Sequence, residues 1–519
     1  MHGRILRPPG IMDLESTMTT HPADLTHFDV LIVGAGISGI GAAHHLQANL
    51  PARTYAILEA RDAIGGTWDL FRYPGIRSDS DLHTFGYAFK PWTGDKAIAD
   101  GPAILAYIEE TARENGIDRH IRFGHRVVRA DWSSEHAVWT VQVERPARGD
   151  TLEMTARWLF CASGYYRYDE GFTPQLRGLE RFEGEIVHPQ HWPEALDHAG
   201  RRVVVIGSGA TAVTLVPALA ADAAHVTMLQ RSPSYVLPLP SRDPIANWLR
   251  RIFGDRRGYA LARRKNIRRQ QLVYGFSRRF PRAARRLIRW VNAKQLEGAA
   301  ADVDVDFKPS YDPWDQRLCA AADGDLFREL RRGTASVVTD HIETFTEHGI
   351  RLRSGRELEA DLVVTATELN LLAFGGIELR VDGREVRLPE TVAYKGLMLS
   401  GVPNFAFSIG YTNSSWTLKV DLVCEYLCRL LAHLDATGHD ACVPQLDGEL
   451  ETRPLLDFRA GYVLRSLDAF PRAGDRAPWQ LAMSYDADVQ TLRRGTVDDG
   501  TLRFLDARRP AAEPAPLAA

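Results

Sequence analysis

Cysteine is scarce. Five cysteines in 519 residues cannot make a disulfide framework. Cys161, Cys319 and Cys442 stand alone, and Cys424 and Cys428 are separated by three residues, a spacing that suits neither CxxC redox chemistry nor a zinc knuckle. The same scarcity leaves no cysteine pattern for an iron–sulfur cluster or haem attachment and suits a reducing cytoplasm. Charge of one sign is also lacking: 63 Lys and Arg stand against 66 Asp and Glu, for a net charge of -3, so no global basic field argues for nucleic acid. No run of apolar residues is long enough to predict a membrane-spanning helix. The first 25 residues, with Pro8, Pro9, Asp13, Glu15 and His21, lack the apolar stretch of a signal peptide. Residues 1–25 and the Pro/Ala-rich 509–519 read as disordered ends, with Met12 and Met18 as alternative starts. What remains is an ordinary globular composition, 45% hydrophobic and 25% charged, long enough for two large domains or about three smaller ones.

One pattern occurs twice. Phe28 to Val33 is the nearly continuous apolar run of a buried parallel strand. Gly34-Ala35-Gly36-Ile37-Ser38-Gly39 follows, and then a helical stretch, Ile40 to Leu46. This is GxGxxG in its required setting. Gly34 permits the tight turn, Gly36 lets backbone approach a pyrophosphate, and Gly39 lets helix and strand pack closely. The helix N-terminus then offers unpaired N–H groups to phosphate. The next strand, Thr54 to Leu58, ends in Glu59, 20 residues beyond Gly39, where an acid accepts hydrogen bonds from a ribose 2′-OH. The bland alternative is a glycine-rich turn beside a surface glutamate. The second copy runs from the strand Arg202 to Ile206 through Gly207-Ser208-Gly209-Ala210-Thr211-Ala212, a helix from Val213 and the strand His225 to Leu229. That strand leads into Gln230-Arg231, not an acid. A guanidinium gives a 2′-phosphate a charge-assisted partner, so the second site predicts NADP(H). For Arg231 the alternative is a surface salt-bridge residue.

Two such folds, about 170 residues apart, predict a two-cofactor oxidoreductase in which nicotinamide passes a hydride to a second redox group, with FAD as the expected partner. The predicted fold class is α/β, with two Rossmann-like dinucleotide-binding domains. The FAD domain takes residues 26–165 and 355–508, and the NADP domain takes 166–354 with a helical insertion at about 245–300. Asp131 to Val143 reads as a β-meander, Trp158 to Ala162 as a return strand, Ala360 to Thr367 as a buried strand closing the second fold, and Thr417 to Leu434 as a long helix. Residues 250–289 carry fourteen arginines and one lysine with Asp255 as the only acid, interleaved with apolar residues at helical spacing. A solvated basic face, peripheral contact with anionic lipid and a self-association surface all fit that pattern.

Between the glycine-rich units stands Phe182-Glu183-Gly184-Glu185-Ile186-Val187-His188-Pro189-Gln190-His191-Trp192-Pro193, which reads FxGxxxHxxxWP. It resembles the signature of the Baeyer–Villiger monooxygenases, class B FAD-dependent enzymes. Gly65-Gly66-Thr67-Trp68 through Tyr73-Pro74-Gly75 to Asp79 resembles a second signature of that family. The likeness covers about residues 26–508, and in segments 65–92, 313–319 and 394–419 it is strongest to a mycobacterial branch that activates a thioamide prodrug.

By this resemblance Gly34, Gly36, Ser38, Gly39, Glu59, Thr67, Trp68, Asp69, Leu70, Asp79 and Val127 contact FAD. Arg77, Ser78, Asp79, Gly207, Ser208, Gly209, Ala210, Thr211, Ala212, Val213, Gln230 and Arg231 contact NADP. Phe182, Gly184, His188 and Trp192 are the family motif, for which we predict a structural role in His188. Arg317 is the implied active-site arginine, a permanent cation beside a C4a-peroxyflavin, with Asp79 holding it. Its bland alternative is an ion pair in the turn at Trp314-Asp315. The implied reaction converts a ketone to an ester or lactone with NADPH and O2, with sulfoxidation or thioamide S-oxygenation as side activity. An N/S-oxygenating flavin monooxygenase is the runner-up, although those usually carry another residue at the tryptophan position. One departure stands out: the family shows Ala-Thr-Gly where this chain has Ala366-Thr367-Glu368. A glycine there implies positive φ or close approach to a cofactor, so Glu368 predicts weaker cofactor retention, or at the extreme a weakly active homologue.

Overall fold

The structure, a computed structural model, describes residues 26–507 apart from 317, 457 and 459. The predicted disordered ends and Arg317 lie outside the described residues.

Two sheets organise the chain. The first has nine strands. His27–Val33 runs between Tyr55–Leu58 and Asp150–Cys161, parallel to both, and Ile121–Arg122 and Phe405–Phe407 extend this parallel core. Val30, Leu31 and Ile32 are completely buried, as an all-apolar strand requires when both sheet faces are covered. One cover is the helix Ile37–Asn49, which lies against the long helix Trp416–Thr437. The predicted meander is present: Arg126–Ser133, Val138–Arg145 and Asp150–Cys161 pair antiparallel, with Trp132 opposite Trp139.

The second sheet has five parallel strands in the order Ala335–Thr339, His225–Gln230, Arg202–Ile206, Leu362–Thr365, Glu185–Val187. The predicted end of the second fold at 354 therefore falls too early. Leu362–Thr365 sits inside this sheet, because a run such as Leu362-Val363-Val364 needs neighbours on both edges and cover on both faces. The chain crosses between the folds twice, and the two crossings pair with each other: Tyr166–Gly171 runs antiparallel to Leu369–Leu371. A two-stranded ribbon thus joins the sheets.

The basic insertion forms two helices, Pro244–Arg279 and Pro281–Gln295. Asp243 caps the first by accepting from the Ala246 N–H (3.0 Å), Gly254 kinks it with φ = 74°, and Pro281 opens the second. Proline suits that first-turn position, where its missing N–H has no helical partner to lose. Among the described residues no helix is long and apolar enough to cross a membrane.

Candidate active site

One cavity of about 1360 Å³ lies between the two folds, and both glycine loops open into it. That exceeds the usual volume of a pocket for one drug-sized ligand, roughly 300–1,000 Å³, and suits two dinucleotides. On the first fold Gly34, Gly36, Ser38, Glu59, Thr67, Trp68 and Val127 line it. On the second fold Gly207, Ser208, Gly209, Ala210, Thr211 and Arg231 do, and Arg77, Ser78 and Asp79 lie on the wall between them.

The loops are shaped for close approach. Gly34 has φ = 102° and Gly207 φ = 137°, values that a side chain strains. Gly39 is off the wall: a Cβ there would stand 1.9 Å from the Gly34 carbonyl oxygen, so its role is to let helix and strand touch. The helices Ile37–Asn49 and Ala210–Leu219 begin at Gly36 and Gly209 without a side-chain cap, which leaves first-turn N–H groups for phosphate oxygens. Glu59 is buried, and its two carboxylate oxygens accept from the Ala35 N–H (2.7 Å) and the Arg61 N–H (3.0 Å). Burial raises its pKa, while those two bonds and the Arg61 charge oppose the rise. Each oxygen keeps a lone pair for ribose hydroxyls. Arg231 is exposed on the wall and has no acidic partner among the described residues. An unscreened guanidinium of this kind fits a 2′-phosphate. The cradles, uncapped helices, acid and arginine together fit FAD in the first fold and NADP(H) in the second.

Other predicted residues turn away from the cavity. Asp69 and Leu70 are off the wall, and Asp69 instead ties Arg61 to Arg72 (2.9 Å to Arg72). Ala212 and Val213 are fully buried in the core of the second fold. Gln230 is buried and donates to the Asp306 carbonyl and to Thr339 Oγ1, both at 2.8 Å. Arg77 reaches the wall, but its guanidinium is clamped to Asp325 (2.5 and 3.3 Å) and to the Ala320 carbonyl, locking a loop of the first fold to the second. Ser78 donates to the Ser80 carbonyl (2.8 Å). Asp79 is half-buried on the wall.

The family motif wraps the edge strand Glu185–Val187. Phe182 packs edge-on to Phe345, and a Cβ on Gly184 would stand 2.5 Å from the Phe182 ring. Trp192 packs against the core of the second fold. His188 Nδ1 accepts from the Gln190 N–H (3.2 Å), and Nε2 lies 3.2 Å from the Glu368 carbonyl oxygen. Gln190 Nε2 donates to the carbonyls of Arg167 and Tyr168, both at 2.9 Å. The motif therefore holds both strands of the connecting ribbon. His188 is off the cavity wall, and burial lowers its pKa.

Glu368 does have positive φ, 96°. Its side chain is on the cavity wall, but the carboxylate is held by Arg465 Nη1 (2.8 Å), and that guanidinium stacks 3.5 Å over the Phe172 ring. The negative charge is thus partly compensated where it stands.

The sequence points to the pocket lining near Trp416 but not to the contacts that several wall residues make. Tyr168, on the crossing strand, lies 3.0 Å from Thr67 Oγ1, and burial pushes its phenol up to about 12. Trp416 Nε1 donates to Ser38 Oγ (2.8 Å). Tyr411 donates to Asp488 Oδ2 (2.5 Å), which also pairs with the buried Lys419 Nζ (2.8 Å). No spacing signal announces these contacts.

Two Rossmann-like folds that share one cavity define an oxidoreductase of the two-dinucleotide class. Comparison with known proteins narrows this. The profile of the pyridine nucleotide-disulphide oxidoreductase family matches residues 28–258. The FAD-containing monooxygenase EthA of Mycobacterium tuberculosis is 55% identical over 488 residues, covering 93% of this chain and 99% of the relative. EthA of Mycolicibacterium smegmatis is 53% identical over 481 residues, with coverages of 92% and 97%. An oxidised steroid monooxygenase bound to NADP has a TM-score of 0.72 at 25% identity, covering 93% of this chain and 100% of that one. An open cyclohexanone monooxygenase has 0.66 at 25% identity, with coverages of 81% and 90%. The chain belongs to the FAD-containing monooxygenases. The five cysteines are free and buried, so the thiol chemistry in the profile's name has no redox pair here.

Proposed function

We propose that this monooxygenase carries out NADPH- and O2-dependent Baeyer–Villiger oxidation, converting a ketone to an ester or lactone, with oxygenation of sulfur in thio-compounds as side activity. Its partners are then a small-molecule ketone or thio-compound and O2, and its place is the cytoplasm. The observation that carries this reading is the single cavity into which both glycine loops open, one beside Glu59 and the other beside Arg231.

The Gly34–Gly39 loop and Glu59 hold FAD, while the Gly207–Thr211 loop and Arg231 hold NADPH. When bound, the flavin supplies the redox chemistry that activates O2. The chain binds, orients and shields. Trp416 fixes Ser38, Tyr168 fixes Thr67, and the Arg77–Asp325 pair ties the wall between the two sites to the second fold. We assign Arg317 as the fixed cation that stabilises developing negative charge on oxygen, and Asp79 as its counter-charge; removing one such donor typically costs about 10²–10³ in rate. This assignment rests on the family signature around Asp79 and on the Pro313-Trp314-Asp315-Gln316-Arg317 stretch.

The test is incubation of the holoenzyme with NADPH, ¹⁸O2 and a panel of linear and aromatic ketones, with a thioether in parallel. Labelled ester supports the reading. Sulfoxide without ester replaces it with the N/S-oxygenating reading, and NADPH consumption yielding only hydrogen peroxide refutes both.

A further inference from the structure

The helices Pro244–Arg279 and Pro281–Gln295 sort their cations into two sets. Six have acidic partners: Arg250 with Asp255, Arg263 with Asp421, Lys265 with Asp243, Arg278 with Asp315, Arg285 with Asp312 and Arg289 with Asp304, all within 3.2 Å. Others that face outward, among them Arg256, Arg257, Arg264, Arg268, Arg282 and Arg286, have no acidic partner among the described residues. Residues 244–295 hold sixteen cations and one acid, a net +15 in a chain of -3.

Apolar side chains share that outer face. Of the seventeen exposed large hydrophobic residues among the described residues, ten lie on these two helices and an eleventh, Phe280, at the junction between them. Leu272 is 74% exposed, and Trp248, Phe276, Leu287 and Trp290 are 44–56% exposed. At helical spacing Leu261, Leu272 and Phe276 fall on the same arc as Arg257, Arg264 and Arg268. A merely solvated face has no use for this many large apolar groups, whereas an interfacial helix needs them beside its cations.

We propose that this helical pair docks on an anionic phospholipid surface, a partner that goes beyond the oxygenation reading and does not depend on it. Leu272, Phe276, Leu287 and Trp290 enter the boundary between headgroups and acyl chains. The long stems of the arginines let their guanidinium groups stay at the phosphate level. A second copy of the chain satisfies the face less well. A two-fold contact sets one group of unpaired arginines against its own copy. A nucleic-acid backbone pairs the cations but leaves the aliphatic side chains in water. The first helix also backs the cavity: Gln270 accepts from Ser414 Oγ (3.1 Å) and donates to Asp81 Oδ2 (2.9 Å), and Ser414 lies on the cavity wall. A docked enzyme therefore brings that end of the cavity within about one helix diameter, roughly 10 Å, of the bilayer.

The test is co-sedimentation of the holoenzyme with vesicles of phosphatidylglycerol and phosphatidylcholine, against phosphatidylcholine alone, at low and high salt. Binding confined to the anionic vesicles and weakened by salt is expected. The double variants Arg268→Glu/Arg282→Glu and Leu272→Ser/Phe276→Ser should each lower partitioning by about tenfold or more, with NADPH oxidation in vesicle-free buffer unchanged. Equal binding to both vesicle types, or variants that bind like the parent, overturns the proposal. So does binding to a DNA duplex without vesicle binding. So does a drop in particle mass by light scattering in variants of an enzyme that never sediments with lipid, which would make the face a self-association surface. Sedimentation is read without any substrate, so failure to oxygenate a ketone leaves this result standing on its own.

Discussion

Two substitutions at position 368 separate backbone strain from charge. Glu368 has φ = 96° and carries a Cβ, a combination that costs on the order of 1–3 kcal/mol. Its ion pair with Arg465 offsets little of this: the two side chains are 38% and 36% exposed, which places the pair at about 0–1 kcal/mol. Glu368→Gln removes the charge and keeps the strain, so it should destabilise by no more than about 1 kcal/mol. Glu368→Gly removes both, and glycine's extra freedom in the unfolded chain gives back only about 0.4–1 kcal/mol. The glycine variant should therefore be more stable than the glutamine variant by about 1 kcal/mol. Both variants leave Arg465 as an uncompensated cation on the cavity wall, which favours dinucleotide phosphates. Flavin retention after dialysis and the KM for NADPH should improve by roughly two- to fivefold in both. Thermal unfolding of the holoenzymes, flavin content and NADPH titration read these effects. A glycine variant less stable than the glutamine variant would refute the strain. Unchanged flavin retention and KM in both would show that the carboxylate is not felt in the cavity.

Four further outcomes follow from the same geometry. Arg231→Ala should raise the KM for NADPH by roughly 10- to 100-fold, the worth of a hydrogen bond to a charged group, while leaving NADH nearly unaffected; equal losses with both nucleotides would remove Arg231 from the 2′-phosphate site. Gly39→Ala drives a methyl to 1.9 Å from the Gly34 carbonyl oxygen, and the purified protein should lack visible flavin absorbance; normal flavin loading would contradict the packing argument. His188 is held neutral because burial lowers its pKa, so the folded state binds fewer protons than the unfolded one. Its contribution is complete above the ordinary imidazole value of about 6.5 and is lost as pH falls below it; His188→Gln should flatten the acid side of a melting-temperature profile, and His188→Ala should weaken flavin reduction and product formation together. Asp488→Asn leaves Lys419 buried without its counter-charge and should cost about 3–5 kcal/mol in unfolding, whereas Tyr411→Phe, which removes one hydrogen bond to the same carboxylate, should cost about 1.5–3 kcal/mol.

The glycine loops were legible because each is a local sentence of strand, turn and helix, and Glu59 because the offset from the loop to the next strand is fixed by the same fold. Adjacency in a motif did not carry over to adjacency in space. Gln230 ends a strand and Arg231 follows it, and neighbouring strand residues point to opposite sides, so one is buried against Thr339 while the other faces the cavity. Asp69 shares a four-residue helix with Thr67 and Trp68, yet it turns back to Arg61 and Arg72. The pairs Glu368–Arg465 and Tyr411–Asp488 span 97 and 77 residues, and no periodicity links their ends. The boundary at 354 stops short of the strand Leu362–Thr365, although the apolar run from Ala360 to Thr367 does mark the strand that closes the second fold.

The ribbon that joins the folds is where the two unusual features of the sequence meet. The Glu368 carbonyl faces His188 Nε2 and accepts from the Phe172 N–H (3.3 Å), while its side chain holds the arginine stacked on Phe172. The conformation of residue 368 therefore sets the position of the family histidine on one side and of a cavity-wall cation on the other. A glycine here leaves the backbone free to adjust when the two folds move against each other. A glutamate braced by Arg465 holds one arrangement of the joint. The departure at 368 is thus better read as a change in the stiffness of the connection between the folds than as a charge set against the cofactor phosphates. For that reason the strain arm of the position-368 comparison carries more of the argument than the binding arm.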